Sequence, residues 1–394
     1  MLFPQVRPTK QDSVTAPVMI PKRQDRRSRK QFIPCARLLL GAAVLAVAAC
    51  ANGPSNYPVH QQRPLIMVPV AQAGVEDERG AFRAHFCQIT ASDGASLPEP
   101  RPCADALVQL AGEKDSGIRI DSATIPHQRY RVAVVLGVGW DCLRGFVDVD
   151  KLPHNHLAAL GYDVTLLHVD ALSSSARNAS EIIKQLSELQ AEHPNQPIIL
   201  VGYSKGAVDI LEAVARNEPG TRNVAAILSV AGSIGGSPLA DTASQGTMDL
   251  IRFAPGAACD VGDDGALDSL RTGVRQNWLA QHPLPDTIHS YSMVALPQAG
   301  MVSAILQPGY DQLAAIHPLN DSNVLFYDEI IPGSTLLGYA NADHWAIALP
   351  VAQSSPTLGA TVVNENLYPR EVLWQAMIEF IINDLESDRQ DKVE

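Results

Sequence analysis

Ser204 lies in the segment Gly202-Tyr203-Ser204-Lys205-Gly206, a serine with a glycine two residues to either side. On its own that spacing says little, because glycine and serine are common in loops. The flanking residues give it content. Pro197 to Val201 (PIILV) reads as a buried strand, and Ile210, Leu211, Val214 and Ala215 recur on one face of a helix that breaks at Pro219-Gly220. A sharp turn from strand to helix needs glycine at its flanks, so that the serine backbone can be strained without a clash. The turn lifts the hydroxyl above the sheet, and the helix N-terminus points its N–H groups at any negative charge that develops there. Such a hydroxyl becomes a nucleophile when a base takes its proton and a carboxylate orients the base.

The elements that must position these groups begin near residue 130. Val132 to Leu136, Asp163 to His168, Pro197 to Val201, Val224 to Val230, His289 to Leu296 and Ser334 to Tyr339 read as strands. Helical patterns lie between them. Leu152 to Leu160 is stopped by Gly161, and Ser180 to Leu189, capped by Asn178 or Ser180, has apolar residues at 182, 183, 186 and 189. A last helix starts near Pro369 and repeats Val372, Leu373, Ala376, Met377, Phe380 and Ile381. Strands alternating with helices predict an α/β fold with a mostly parallel central sheet and helices on both faces.

Composition narrows the partners. The chain has 394 residues, 46% hydrophobic and 18% charged, with a formal net charge of −12. Nine Lys+Arg and two Asp+Glu fall in the first fifty residues, which leaves 21 basic and 40 acidic residues, a net −19, for the remainder. Phosphate backbones need a concentrated positive field, so no nucleic-acid partner is expected. No flavin, nucleotide or metal spacing appears. Gly137-Val138-Gly139-Trp140 lacks the G-x-G-x-x-G spacing of a dinucleotide loop, and His154-Asn155-His156 stands without partner ligands. No cofactor and no metal are expected.

From about residue 131 to 386 the chain resembles an α/β-hydrolase of the lipase and esterase group. The resemblance rests on the GYSKG turn, on Gly-Gly-Ser-Pro-Leu-Ala-Asp at 235–241 after the next strand, and on the spacing of a later aspartate and histidine. It implies the chain order serine, acid, histidine, with the histidine in the loop after the last strand. His344 in Asn341-Ala342-Asp343-His344 takes that place. Two aspartates compete for the acid. Asp321 in Asn320-Asp321-Ser322-Asn323-Val324 is similar to the N-D-G-x-V segment of the group and is favoured; Asp328 in Asp328-Glu329-Ile330-Ile331-Pro332 is similar to the D-G-x-V-P variant but sits close to the last strand. Neither carries the usual glycine after the aspartate. The resemblance also implies an oxyanion hole from the N–H groups of Lys205 and Trp140. It implies cleavage of carboxylic esters through an acyl-enzyme, with small-molecule or lipid esters as substrates. The same groups would serve an acyltransferase or thioesterase, and a catalytically silent envelope lipoprotein is the reading from outside enzymology.

Residues 232 to 287 are long for a connection between two core strands. They hold helical patches at Met248 to Phe253 and Leu267 to Ala280 and read as a cap. Residues 71–130 carry Phe82, Phe86, Leu107, Val108 and Leu110 and read as a segment packing on the core, without chemistry.

The first fifty residues read as an export signal. A basic run from Lys22 to Arg37 precedes the apolar stretch Leu38 to Ala49, too short to span a bilayer but suited to a signal peptide. Val47-Ala48-Ala49-Cys50 resembles the lipobox of bacterial lipoproteins, which implies acylation (palmitate) of Cys50 and a membrane anchor in the envelope, outer-membrane and facing the periplasm. Translation could start at Met1 or Met19. Residues 51–70, with Pro54, Pro58, Pro64 and Pro69, read as an extended tether. Of the remaining cysteines, Cys87 with Cys103 and Cys142 with Cys259 is the favoured pairing among three.

Overall fold

The computed structural model describes residues 74–143, 147–243 and 262–391. The signal, lipobox and tether expectations, including Cys50, therefore lie outside the described residues, as do Met248 to Phe253 and Cys259. Seven strands form one sheet: β1 (Glu76–Asp77), β2 (Arg131–Val135), β3 (Asp163–Leu166), β4 (Ile198–Tyr203), β5 (Val224–Val230), β6 (His289–Ala295) and β7 (Thr335–Ala340). Their order is β1-β7-β6-β5-β4-β2-β3, and every pair is parallel.

Successive strand residues point to opposite faces, and here both faces are apolar and covered. Val132, Val134, Ile199, Val201 and Leu228 face α1 (Arg79–Ser92), α2 (Pro153–Ala159) and α7 (Arg370–Asp391, which follows α6 at Gln307–Ala314), packing with Phe82, Phe86, Leu157, Leu373 and Met377. Ala133, Val135, Ile198, Leu200 and Ile227 face α3 (Ser175–Glu192) and α4 (Lys205–Ala215), packing with Ile182, Leu186, Ile210 and Val214. Truncating one of these fully buried side chains, such as Leu200→Ala, would cost about 2–5 kcal/mol. This arrangement is the α/β-hydrolase fold.

Two details depart from the sequence expectations. α3 begins at Ser175, one turn earlier than the apolar spacing suggests, because the Ser174 hydroxyl accepts the Arg177 N–H and caps it. β1 carries only two paired residues at the sheet edge and leaves no periodic trace. Within residues 74–130, α1 packs on β7 and α7, and Cys87 is bridged to Cys103. Among the described residues no helix is long and apolar enough to cross a membrane.

A parallel sheet collects the C-terminal ends of its strands on one edge. The chain leaves β2 outward to β3, then returns to β4 on the other side of β2. The two loops after β2 and β4 thus diverge and open a crevice between them, the usual place for a site in an open α/β sheet.

Candidate active site

The turn after β4 stands at that crevice. Ser204 adopts φ +56° and ψ −124°, a region that side chains with a Cβ rarely occupy, and it is half-buried between fully buried neighbours. The flanking glycines are required by close approach. A Cβ on Gly202 would come 2.4 Å from the Ala207 Cα, and one on Gly206 would come 2.3 Å from the Val135 carbonyl oxygen. The turn is thereby pressed between its own helix and β2.

Three of the side chains singled out in the sequence meet here. His344 Nε2 lies 2.9 Å from Ser204 Oγ, and His344 Nδ1 pairs with Asp321 Oδ2. Both His344 and Asp321 are buried. The other oxygen of Asp321 accepts N–H bonds from Asn323 (2.8 Å) and Val324 (2.7 Å), so the carboxylate closes its own turn while facing the imidazole. The main chain repeats the tie, because the His344 N–H donates to the Asp321 carbonyl at 2.9 Å. With Asp321 on Nδ1, Nε2 is free to accept the serine proton.

Asp328 is elsewhere. Its carboxylate lies over Gly235, where an added Cβ would meet Oδ1 at 2.1 Å, and burial together with the nearby Asp241 pushes its pKa up to about 7. Of the two competing aspartates, the structure brings Asp321 to the histidine.

Three residues that support the site had no sequence signal. Tyr203 donates its hydroxyl to the His344 carbonyl oxygen at 2.7 Å; burial and the carboxylates of Asp321, Asp343 and Glu329 hold its pKa well above the ordinary value, so it stays a donor. Asp343 accepts the N–H groups of Trp345 (3.1 Å), Ala346 (2.8 Å) and Ser303 (2.8 Å), which fixes the turn that carries His344. Glu329 is fully buried and accepts the Ala295 N–H at 2.7 Å; burial, and then the charge of Asp321, raise its pKa well above its ordinary value.

The two N–H groups expected at the oxyanion differ in their main-chain contacts. Lys205 opens α4, and its main-chain N–H has no acceptor among the described residues. The Trp140 N–H, by contrast, turns back to the Gly137 carbonyl at 3.4 Å and is spent there. Gly137 itself packs on the serine, since a Cβ on it would come 2.8 Å from Ser204 Cβ. In this loop the Val138 N–H, like those of Leu136 and Gly137, has no main-chain acceptor among the described residues. Trp140, the donor the resemblance implies, lies two residues further along the loop.

The insertion between β5 and β6 is stitched to the core where it is described. Leu267 to Ala280 forms a helical turn at Ala266–Ser269 and α5 (Thr272–Gln281). Arg275 of α5 is fully buried, donating to the Ile234 carbonyl at 3.1 Å and to Glu212 of α4 at 3.2 Å. Ala266 donates to Leu172 at 3.1 Å, and Asp263 accepts the Ser174 hydroxyl at 2.6 Å. Cys142, in the turn after β2, is in a disulfide; Cys259, its expected partner, lies outside the described residues. Among the described residues no group of His, Cys, Asp and Glu could hold a metal ion.

Comparison with known proteins agrees with the fold. No protein-family model matches this sequence, and no curated protein matches it either. Among solved structures, the chain is similar to the metagenomic carboxyl esterase MGS0156, with 37% identity and a TM-score of 0.74 over 83% of this chain and 100% of that one. It is also similar to the Bacillus licheniformis lipase BlEst2 in mature form (21% identity, 62% of this chain and 93% of that one, TM-score 0.45). A third likeness is to EstA from Clostridium botulinum (14% identity, 73% and 97%, TM-score 0.46).

Proposed function

This chain belongs to the family of the metagenomic carboxyl esterase MGS0156, ester hydrolases of the α/β-hydrolase fold, and on that premise we propose that it cleaves carboxylic esters with Ser204 as nucleophile, His344 as general base and acid, and Asp321 as the orienting carboxylate. The observation that carries the reading is the hydrogen-bonded chain from Ser204 Oγ through His344 to Asp321 at the C-terminal edge of the sheet.

In this reading Ser204 Oγ attacks the ester carbonyl carbon while His344 Nε2 takes the hydroxyl proton. Asp321 holds the imidazole in the tautomer with its proton on Nδ1 and stabilises the imidazolium that forms. The carbonyl oxygen, now negative, receives the N–H groups of Lys205 and Val138. Collapse of the tetrahedral intermediate expels the alcohol, which leaves with the proton from His344. Water then enters, His344 takes its proton, and a second intermediate releases the carboxylic acid and returns Ser204. The insertion between β5 and β6 acts as the cap that selects the acyl and alcohol groups.

The lipobox at Cys50 and the basic and apolar segments before it support export and anchoring in the bacterial envelope, where small-molecule and lipid esters are the natural substrates. A mass shift corresponding to acylation of Cys50 in membrane-extracted protein tests the anchor; an unmodified Cys50 would remove it from the account.

The catalytic reading is tested by Ser204→Ala on a panel of soluble esters from short to long acyl chains. Turnover by the wild type that falls by a factor of about 10⁴ or more in the variant supports it. Equal turnover by the two proteins would overturn it.

A further inference from the structure

The chemistry above uses Lys205 only through its main-chain N–H, yet its side chain makes an arrangement of its own. Lys205 and Asp209 lie one turn apart on α4, both side chains only 1% exposed. Lys205 Nζ is 2.7 and 2.9 Å from the two carboxylate oxygens of Asp209. Asn178 of α3 adds a third bond, from Nδ2 to Asp209 Oδ2 at 2.7 Å. A buried ion pair is poor value for stability, because the desolvation of two charges offsets most of their attraction, and apolar residues of similar volume would hold the helix as well. Its position suggests another use.

The pair spans the first turn of α4, and that turn carries the Lys205 N–H. The same carboxylate reaches the other donor by a continuous path. Asn178 Nδ2 also donates to the Asp170 carbonyl at 3.2 Å, in the loop between β3 and α3. One residue along that loop, the Ala171 carbonyl accepts the Gly139 N–H at 3.4 Å, and Gly139 follows Val138 directly. Both N–H groups assigned to the oxyanion thus hang from Asp209: one through the Lys205 side chain, one through Asn178 and residues 170–171.

We propose that the buried Lys205–Asp209 pair, with Asn178, is a positioning device that sets the Lys205 and Val138 N–H groups at the spacing an ester oxyanion requires. Asp209 and Asn178 are positioning residues, since neither touches substrate, and the inference rests on the ester-hydrolase reading above. A device of this kind acts on the transition state. Loosening it lowers kcat and leaves KM, because the uncharged ester gains little from those N–H groups in the ground state.

The test compares wild type, Ser204→Ala, Asn178→Ala and the double variant Lys205→Met/Asp209→Leu, which removes both charges together and leaves no orphan ion. Each is assayed with one soluble ester, with a trifluoromethyl ketone whose serine adduct bears an oxyanion, and by thermal melting. The double variant is expected to melt cooperatively, to lose about tenfold or more in kcat with KM within about twofold, and to bind the ketone more weakly by a similar factor. Asn178→Ala keeps the ion pair and cuts only the path to Val138, so it should shift kcat and ketone affinity in the same direction by about threefold or more. Wild-type kcat and ketone affinity in a cooperatively folded double variant would overturn the proposal. Should the double variant not fold, unchanged kcat and ketone affinity in Asn178→Ala would overturn it alone. Loss of turnover in Ser204→Ala with no effect in the other variants rejects the positioning device and keeps the ester hydrolase; retained turnover in Ser204→Ala rejects both.

Discussion

The hydroxyl of Tyr203 donates to the main-chain carbonyl of His344 at 2.7 Å, so the residue before the proposed nucleophile holds the loop of the proposed base. The bond joins β4 to the loop after β7, which β5 and β6 separate in the sheet. It lies in the interior, where a carbonyl that loses its donor is not rescued by water. Tyr203→Phe should therefore lower stability by about 1–3 kcal/mol, the cost of leaving a buried acceptor unmade. Because His344 is held on this side by that bond, kcat should fall as well, with KM nearly unchanged. Thermal melting and steady-state kinetics check both; a stable variant with wild-type kcat would show that the bond positions nothing.

Asp321 and Asp328 should separate sharply on substitution. Asp321→Asn keeps the shape of the turn but presents an amide to His344 Nδ1, favouring the wrong tautomer, and kcat should drop by about 10⁴. Asp328→Asn should stay within a few-fold of wild type, since its carboxyl lies over Gly235 and away from the histidine. A large loss in Asp328→Asn with an active Asp321→Asn would reverse the assignment.

The same Asp328 gives a pH dependence of stability. Its pKa in the folded protein is pushed up to about 7 by burial and by Asp241, whereas in the unfolded chain it returns to the ordinary carboxylate range near 4. Below that range both states hold the proton and the group contributes nothing. Between about pH 4 and pH 7 the unfolded state releases its proton first, so stability falls as pH rises, then levels off above 7. Asp328→Asn removes this slope. The variant should match wild type near pH 4 and exceed it by about 1–2 kcal/mol at pH 8, less than the full linkage because the half-buried carboxylate keeps part of its hydration. Melting curves at the two pH values decide the matter; a difference that does not vary with pH would contradict it.

Much of this architecture was readable from the sequence because the physics behind it is local or periodic. Six strands follow from short β-branched runs, and the last helix from its repeat of apolar residues. The Ser204 turn follows from its neighbours, and His344 from its place after the last strand. What escaped depends on contacts between distant residues. That the Trp140 N–H turns back on the Gly137 carbonyl cannot be seen from the spacing of the loop. The Tyr203 bond to His344 crosses 141 positions, and the Asn178 bond to Asp209 crosses 31. Ser322 illustrates a sequence signal with a structural reason. It follows Asp321 at φ +86°, the conformation for which glycine is the usual choice, and the departure from glycine had weakened the motif without changing the turn.

The bridge between Cys87 and Cys103 closes a loop of 16 residues around α1, whose Phe82, Phe86 and Ile89 are buried in the core. In the chain-entropy account a loop of that size is worth about 3 kcal/mol. Replacing both cysteines with serine should lower the melting temperature by several degrees while ester turnover at moderate temperature is retained, since α1 packs on β7 and α7 rather than on the Ser204 turn. Loss of activity in a variant still folded at the assay temperature would indicate that residues 74–130 reach the site.

The measurement that tests the central claim most directly is the location of a fluorophosphonate adduct, by mass spectrometry of the digested protein. Ester hydrolysis through Ser204 predicts one adduct per chain, on the peptide containing Gly202 to Gly206, absent in Ser204→Ala and formed much more slowly in His344→Ala. A folded wild type that hydrolyses esters but carries no adduct at Ser204, or carries it on another serine, would contradict the account.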